Sequence, residues 1–136
     1  MPPWMSAVAS RLTGMDATRV LGGLMTAIDD RRWGELATFL HPDFTCRLVH
    51  TGEVFGRDGW VAFNAGYPGF DRLIVEEMVG GADAAACRAR VTGVTDGALQ
   101  EFACASFARL QDGLIIELTE VWTDVDQAPP AGTRQV

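Results

Sequence analysis

Close to residue 70, the apolar residues of this chain change from a mainly helical spacing to an unbroken series of alternating runs. Before that point, "DATRVLGGLMTAIDDRR" (16–32) and "WGELATFL" (33–40) carry apolar side chains at helical spacing. After it, four runs alternate with period two: "RLIVEEMVG", "AACRARVTGV", "QEFACASFARL" and "LIIELTEVWTDV", separated by the turn signals "GAD", "TDG" and "QDG". Helices followed by hairpin-connected strands are typical of an α+β domain.

Three shorter segments complete the predicted architecture. "DFTCRLVH" predicts a strand, "TGEVFG" a turn or loop, and "RDGWVAFNAGY" a third helix. A long antiparallel sheet with helices on one side tends to curl around them. We therefore predict a cone-shaped, curved, mixed or mostly antiparallel sheet wrapped around two or three N-terminal helices, with an internal cavity. Residues 16–125 form this domain, 1–15 are a lead-in, and 126–136 are a flexible tail.

The composition excludes several classes of partner. The net charge is −7 and the chain has no lysine, which argues against nucleic acid and against an acidic membrane surface. The three cysteines and two histidines form no metal-ligand spacing, and no glycine-rich nucleotide fingerprint is present, so we expect no metal and no cofactor. The N-terminus does not read as a signal peptide, and the separated cysteines predict reduced thiols, so we expect a cytoplasmic protein.

The order of these segments resembles the nuclear transport factor 2-like superfamily, and within it the SnoaL-like group of polyketide-cyclase relatives. The most specific pieces are "AIDDRRWGELATFLHPDF" and "FARLQDGLIIELTEVW", and the resemblance covers about residues 16–125. It implies a cone with an internal cavity and, often, a homodimer formed through the outer face of the sheet. The superfamily contains isomerases, cyclases, hydrolases and non-enzymes, so the resemblance does not assign a reaction.

The functional residues of ketosteroid isomerases are not matched. An ungapped alignment with these similar proteins places the base position on Leu48, the tyrosine position on Leu24 and the acid position on Ala105, all apolar. Limonene-type epoxide hydrolases use a carboxylate at or near the position of Glu120, but their Arg-x-Asp strand has no counterpart in "CRARVT". SnoaL-type cyclases require little more than one acid/base group in an apolar cavity, which a single carboxylate could supply.

Glu120 is the main candidate for catalysis. In "LIIELTEVWTDV" it shares a strand face with Leu118 and Trp122, so an ionisable group lies among apolar neighbours. If that face is concave, the carboxyl group can act as a general acid or base in a pocket. Alternatively, the face is only partly buried and Glu120 pairs with Arg88 or Arg90.

Further candidates lie on the first strand and the third helix. His50 is the second catalytic candidate because an imidazole can carry a proton near neutral pH, although it can equally well cap the "TGEVFG" turn. Asn64 and Tyr67 share a helix face and can orient a ligand, unless they hydrogen-bond to that same turn. The predicted apolar contacts with substrate are Trp122, Trp60, Phe107, Leu48 and Leu118.

These residues predict a SnoaL-like pocket for an apolar or aromatic, carbonyl-containing metabolite. If the protein is catalytic, it would be a cofactor-free isomerase, cyclase or hydrolase. The alternative is a non-catalytic ligand-binding or protein-interaction module with the same fold.

Overall fold

The structure is a computed structural model that describes residues 16–134, so the predicted lead-in 1–15 lies outside the described residues. Within residues 16–134, two α-helices, one 3-10 helix and six strands follow one another. In order they are α1 (Ala17–Asp29), the 3-10 helix (Trp33–Phe39), β1 (Leu40–Leu48), β2 (Val54–Gly56), α2 (Arg57–Ala65), β3 (Phe70–Gly80), β4 (Ala84–Thr95), β5 (Ala98–Gln111) and β6 (Leu114–Asp124).

All six strands belong to one curved sheet with the order β2-β1-β6-β5-β4-β3. β1 and β6 are parallel, whereas the other neighbours are antiparallel. Parallel strands need a long connection that brings the chain back to the same end of the sheet. The segment between β1 and β6, which includes the long strands β3, β4 and β5, provides this connection. The predicted α+β class, with a mostly antiparallel curved sheet around N-terminal helices, is confirmed. "TGEVFG" was predicted as a turn or loop, but its last three residues form the edge strand β2.

Helix α1 fills the concave side of the sheet. Its N-terminus is capped by Asp16, whose carboxylate accepts hydrogen bonds from the Arg19 amide and the Thr18 hydroxyl. The apolar stripe of α1, including Leu21 and Leu24, is fully buried. A Cβ at Gly23 would lie 2.8 Å from the Phe39 ring, so this glycine allows the 3-10 helix to pack closely on α1.

A one-residue irregularity in β6 changes which side chains face inward. Leu110 pairs with Ile115, whereas Arg109 pairs with Glu117, so Ile116 is the extra residue of a bulge. Uniform alternation would bury Ile116 with Leu118, but the buried side chain is that of Ile115. From Leu118 onward, the alternation inferred from the sequence holds.

Asp29 connects the end of α1 to β3. Its two carboxylate oxygens accept hydrogen bonds from Arg72 Nε and Nη2 at 2.9 and 3.0 Å, and Oδ1 also accepts one from the Leu73 amide at 2.9 Å. The hydrogen bond from the Arg72 side chain is the main reason that the pKa of Asp29 lies below its usual value of 3.8. This contact fixes α1 against the sheet wall that surrounds the cavity.

The Asp29→Asn substitution is expected to lower the free energy of unfolding at pH 7 by about 1 kcal/mol, because the amide cannot form the charged pair with Arg72. A lowered folded-state pKa stabilises the fold above the unfolded-state value and stops doing so as pH falls through the folded-state pKa. The difference from the unmodified protein should therefore begin to shrink below about pH 4 and vanish only when the pH is below the lowered folded-state pKa of Asp29. Urea unfolding at several pH values measures this difference in the free energy of unfolding.

Asp30→Asn, which removes a more exposed contact with Arg32, is the matched control. A pH-independent difference would contradict this account.

Candidate functional site

A cavity of about 470 Å³ lies between the concave face of the sheet and the helices. Its wall is mainly apolar, and aromatic side chains form much of it: Trp33, Trp60, Phe63, Tyr67, Phe70, Phe102 and Trp122. Glu120 and Asp124 contribute carboxylates, and no arginine lines the cavity in the described part of the chain. Asp124 is exposed, whereas Glu120 is 7% exposed. The cavity thus combines an apolar interior with one buried carboxylate.

Glu120 is held by donors on both of its carboxylate oxygens. Oε2 accepts hydrogen bonds from the indole N–H of Trp60 at 3.1 Å and from the Cys46 thiol at 3.2 Å. Oε1 accepts from the indole N–H of Trp122 at 3.1 Å, and the Cys104 sulfur lies 3.9 Å away. An indole N–H can only donate, so each oxygen is held as an acceptor and the carboxylate plane is fixed.

The three cysteines are buried free thiols, as the sequence predicts. Burial, and secondarily the nearby Glu120 carboxylate, raise the pKa values of Cys46 and Cys104 well above the usual range for a thiol. Burial also raises the pKa of Cys87 to about 11. These thiols therefore stay protonated at neutral pH. Cys46 and Cys104 consequently face Glu120 as weak donors rather than as competing anions.

The alternative partners considered for Glu120 are engaged elsewhere. Arg88 pairs with Glu76 at 2.7 Å, and Arg90 pairs with Glu101 at 2.9 Å. Among residues 16–134, no cation forms an ion pair with Glu120. The carboxylate is therefore stabilised by neutral donors alone, unlike most buried charges, which are paired with an opposite charge.

His50, Asn64 and Tyr67 all line the same cavity as Glu120, but Tyr67 does not share a helix face with Asn64 as predicted, because α2 ends at Ala65. His50 is exposed on the turn after β1, and no hydrogen bond joins it to Glu120 in the described part of the chain. The Asn64 amide donates to the Trp60 carbonyl at 2.9 Å, so it does not bind the "TGEVFG" segment. Tyr67 is 54% exposed and contacts the edge of Phe63. These three residues lie at more open parts of the lining than Glu120 does.

The predicted apolar contacts divide into two groups. Trp60, Trp122 and Leu48 line the cavity, whereas Leu118 is buried in the core and is not among the lining residues. Phe107 was predicted to line the cavity, and this prediction is wrong. It is 51% exposed on the opposite face of the sheet, because the inward side chains of β5 are the even-numbered ones.

Ser106 is a cavity residue that the sequence analysis missed. It is 2% exposed, lines the cavity and pairs directly with Glu120 across β5 and β6. The ungapped alignment had pointed to its neighbour Ala105, whose side chain lies on the outer face with Phe107. Gln127 also lines the cavity and donates to the Thr123 hydroxyl at 3.0 Å, so part of the predicted tail contributes to the site.

A six-stranded curved sheet closed by N-terminal helices around a side-chain-lined cavity defines the nuclear transport factor 2-like class. The profile of the SnoaL-like domain matches residues 21–118, and the chain belongs to that family. No curated protein matches the chain.

Solved structures agree with this assignment. A protein of Kribbella flavida proposed to be a ketosteroid isomerase is 25% identical, with 88% of each chain covered and a TM-score of 0.73. An NTF-2-like protein of unknown function from Burkholderia xenovorans is 17% identical, with 93% of this chain and 98% of that one covered and a TM-score of 0.72. IdmH of Streptomyces antibioticus, proposed to be a polyketide cyclase, is 22% identical, with 76% and 88% covered and a TM-score of 0.63.

The described residues also bear on three possible partners: a membrane, a metal ion and a second copy of the chain. None of the helices within residues 16–134 is long and apolar enough to cross a membrane. No group of three or more histidine, cysteine or acidic side chains in that range is arranged to hold a metal ion. The outer face of the sheet carries the exposed apolar side chains of Val79, Phe107 and Val121, and the homodimer implied by the family resemblance stays a prediction.

Proposed function

We propose that this protein binds an apolar, aromatic ketone in its cavity and moves a proton at the carbon next to the carbonyl group, without a cofactor. The main support for this proposal is the environment of Glu120. Its carboxylate is buried in the wall of a mainly apolar cavity, and no cation within residues 16–134 pairs with it. Abstraction of a proton next to a carbonyl is accelerated by a fixed base within reach of that proton, and more so where a closed site excludes most of the water. The cavity of about 470 Å³ has room for a ligand of two or three fused rings.

Oε1 is the oxygen of Glu120 that we assign to proton transfer. Both of its partners, Trp122 and Cys104, line the cavity, whereas Cys46 on the Oε2 side does not. The 3.9 Å contact with Cys104 is long even for a sulfur donor, so one lone pair of Oε1 is only weakly occupied. A substrate C–H can approach that position while both indole donors remain in place.

The remaining candidates take supporting roles in this proposal. The two indole N–H groups keep the carboxylate oriented, which lowers the entropic cost of reaching the transition state. His50, on the exposed part of the lining, can exchange protons with solvent. Asn64 and Tyr67 are placed to orient the more polar end of a ligand. Two similar structures are of proteins proposed to be a ketosteroid isomerase and a polyketide cyclase, and both proposed names are consistent with a ketone substrate.

The direct test is hydrogen exchange of an enolisable aromatic ketone in heavy water. We expect the protein to accelerate exchange of the α-hydrogens of 2-tetralone above the buffer rate, as followed by proton NMR. Quenching of tryptophan fluorescence measures binding in the same samples, because Trp60 and Trp122 flank Glu120. Glu117→Gln is the matched control, since it makes the same charge change at an exposed position of β6 and should leave exchange unchanged. Absence of both binding and exchange across a panel of such ketones would contradict the proposal.

A second candidate function, binding without catalysis, is favoured by one observation. The two indoles and two thiols around Glu120 together match the four lone-pair sites of a carboxylate, which is also how a purely structural buried carboxylate is satisfied. Under this alternative, 2-tetralone and its ketone-free analogue tetralin bind equally well and no exchange occurs. Under the proposed function the ketone binds better and exchanges its α-hydrogens.

A further inference from the structure

We propose that the Ser106 hydroxyl is the second polar contact of the reaction, donating a hydrogen bond to the carbonyl oxygen of the ketone while Glu120 removes the α-proton. This inference rests on the proposed function and adds a recognition element for the oxygen of the substrate. Under this inference, the reacting atoms of the substrate lie next to Ser106 and Glu120.

The Ser106 hydroxyl is buried but, among the described residues, has only weak hydrogen-bond partners. Ser106 and Glu120 are the two buried polar side chains of the described residues, and both line the cavity. Within residues 16–134, the partners of the Ser106 hydroxyl are sulfur atoms: the Cys104 sulfur lies 3.6 Å away, and the thiol of Cys87, which pairs with Ser106 across β4 and β5, also hydrogen-bonds to the Ser106 side chain. Sulfur is a weak donor and a weak acceptor, so these contacts leave much of the hydrogen-bonding capacity of the hydroxyl unused. Buried polar groups are normally well hydrogen-bonded, and an oxygen atom of a bound ligand would give the Ser106 hydroxyl the stronger partner that it lacks.

Ser106 also lies directly opposite Glu120 in the sheet. The two residues are direct partners across the antiparallel strands β5 and β6, so their side chains leave the same face of the sheet. Directly paired residues have Cβ atoms about 5 Å apart. In a ketone, the carbonyl oxygen and the α-hydrogen belong to neighbouring carbons, so one ligand can contact both side chains. No ligand movement between the two contacts is needed.

The proton and electron balance of the step is complete with these two groups. The Glu120 carboxylate takes the α-proton, the electrons of that C–H bond form the carbon–carbon double bond of the enolate, and the carbonyl π electrons move to oxygen. The Ser106 O–H hydrogen-bonds to this developing negative charge, which is stronger in the transition state than in the bound ketone. The proton on Glu120 exchanges with solvent, and transfer of a solvent-derived proton, or deuteron in heavy water, from Glu120 back to carbon completes the turnover, so nothing is oxidised or reduced.

The test compares Ser106→Ala with the unmodified protein in two measurements. The first is exchange of the α-hydrogens of 2-tetralone, which we expect to slow by about 100-fold. The second is the affinity ratio between 2-tetralone and tetralin, since the variant should lose its preference for the ketone while its affinity for tetralin stays unchanged. Ser106→Cys, which keeps a weaker donor, should fall between the two. Thr119→Val removes a hydroxyl from the outer face of β6 and should leave both measurements unchanged.

The outcomes separate this inference from the proposed function. If Ser106→Ala and Ser106→Cys keep the wild-type exchange rate and ketone preference while Glu120→Gln loses exchange, Ser106 has no such role and the proposed function stands. An equal loss of affinity for both ligands in Ser106→Ala would show a structural role and would also overturn the inference. If the wild-type protein neither binds nor exchanges the ketone, both proposals fail.

Discussion

Glu120→Gln is expected to reduce exchange of the α-hydrogens of 2-tetralone by about 10²- to 10⁴-fold, which is the range for removal of a general base. The amide has nearly the same shape as the carboxylate but cannot accept the proton. Binding of the ketone should persist, since the apolar lining that contributes most of the affinity is unchanged. Proton NMR in heavy water measures the rate, and tryptophan fluorescence measures the binding.

The same substitution should also destabilise the fold, for a reason specific to this site. Each oxygen of Glu120 accepts an indole N–H, from Trp60 on one side and Trp122 on the other. A glutamine side chain has only one oxygen, so its NH₂ group must face one of these donors. A buried donor without an acceptor costs about 1–3 kcal/mol, which chemical denaturation would detect.

Glu120→Asp separates the loss of the catalytic base from the loss of fold stability. The shorter side chain keeps the charge and two acceptor oxygens but withdraws the carboxylate from the cavity. It should retain measurable exchange at a reduced rate, whereas the glutamine variant should not. Full exchange activity in folded Glu120→Gln would contradict the assignment of Glu120 as the base, and unchanged stability would contradict the described hydrogen bonds.

Trp60→Ala is expected to produce the largest loss of stability, about 3–5 kcal/mol. Trp60 is 1% exposed, its ring centroid lies 5.4 Å from that of Phe44, and its N–H supports Glu120 Oε2. The substitution therefore creates a large cavity and removes a donor to a buried charge at once. Urea denaturation followed by circular dichroism gives the free energy of unfolding. Trp33→Ala is the control, since Trp33 is only half-buried and should cost clearly less.

Trp60→Phe isolates the contribution of the hydrogen bond. Most of the ring volume remains, but Oε2 keeps only the Cys46 thiol, so a loss of about 1.5–3 kcal/mol is expected for a hydrogen bond to a charged group. Trp122→Phe removes the equivalent donor from Oε1 at a less buried position and should cost less. A cost below 1 kcal/mol for Trp60→Phe would mean that the indole N–H does not stabilise the carboxylate.

The inward position of Glu120 could be predicted because the residues around it alternate regularly. Leu118 and Trp122 flank it at even positions, and the pleat places all three on one face. The hydrogen-bond donors to Glu120 could not be predicted from the sequence in the same way. Trp60 reaches Glu120 from a helix 60 residues earlier, and Cys46 from a strand 74 residues earlier, and no local pattern encodes such contacts.

Ser106 and Phe107 show where local reasoning fails. A hairpin continued from the "QDG" turn without a bulge would pair Ala105 with Glu120, but the extra residue Ile116 shifts the pairing to Ser106. A bulge of this kind leaves no clear sequence signal. Phe107 is predicted to line the cavity, but its side chain lies on the outer face of the sheet. On either side of Ser106, the inward positions of β5 hold the small residues Cys104 and Ala108, and the short side chains of Cys104 and Ser106 leave space for a cavity.

A crystal structure of the protein with 2-tetralone tests the central claim most directly, because it locates the ligand relative to the buried carboxylate. We predict that the ketone occupies the cavity with its α-carbon about 3–3.5 Å from Glu120 Oε1, the separation required for proton transfer. Its carbonyl oxygen should lie within hydrogen-bond distance of the Ser106 hydroxyl. A ketone bound on the outer face of the sheet, or inside the cavity with its α-carbon directed away from Glu120, would contradict the account.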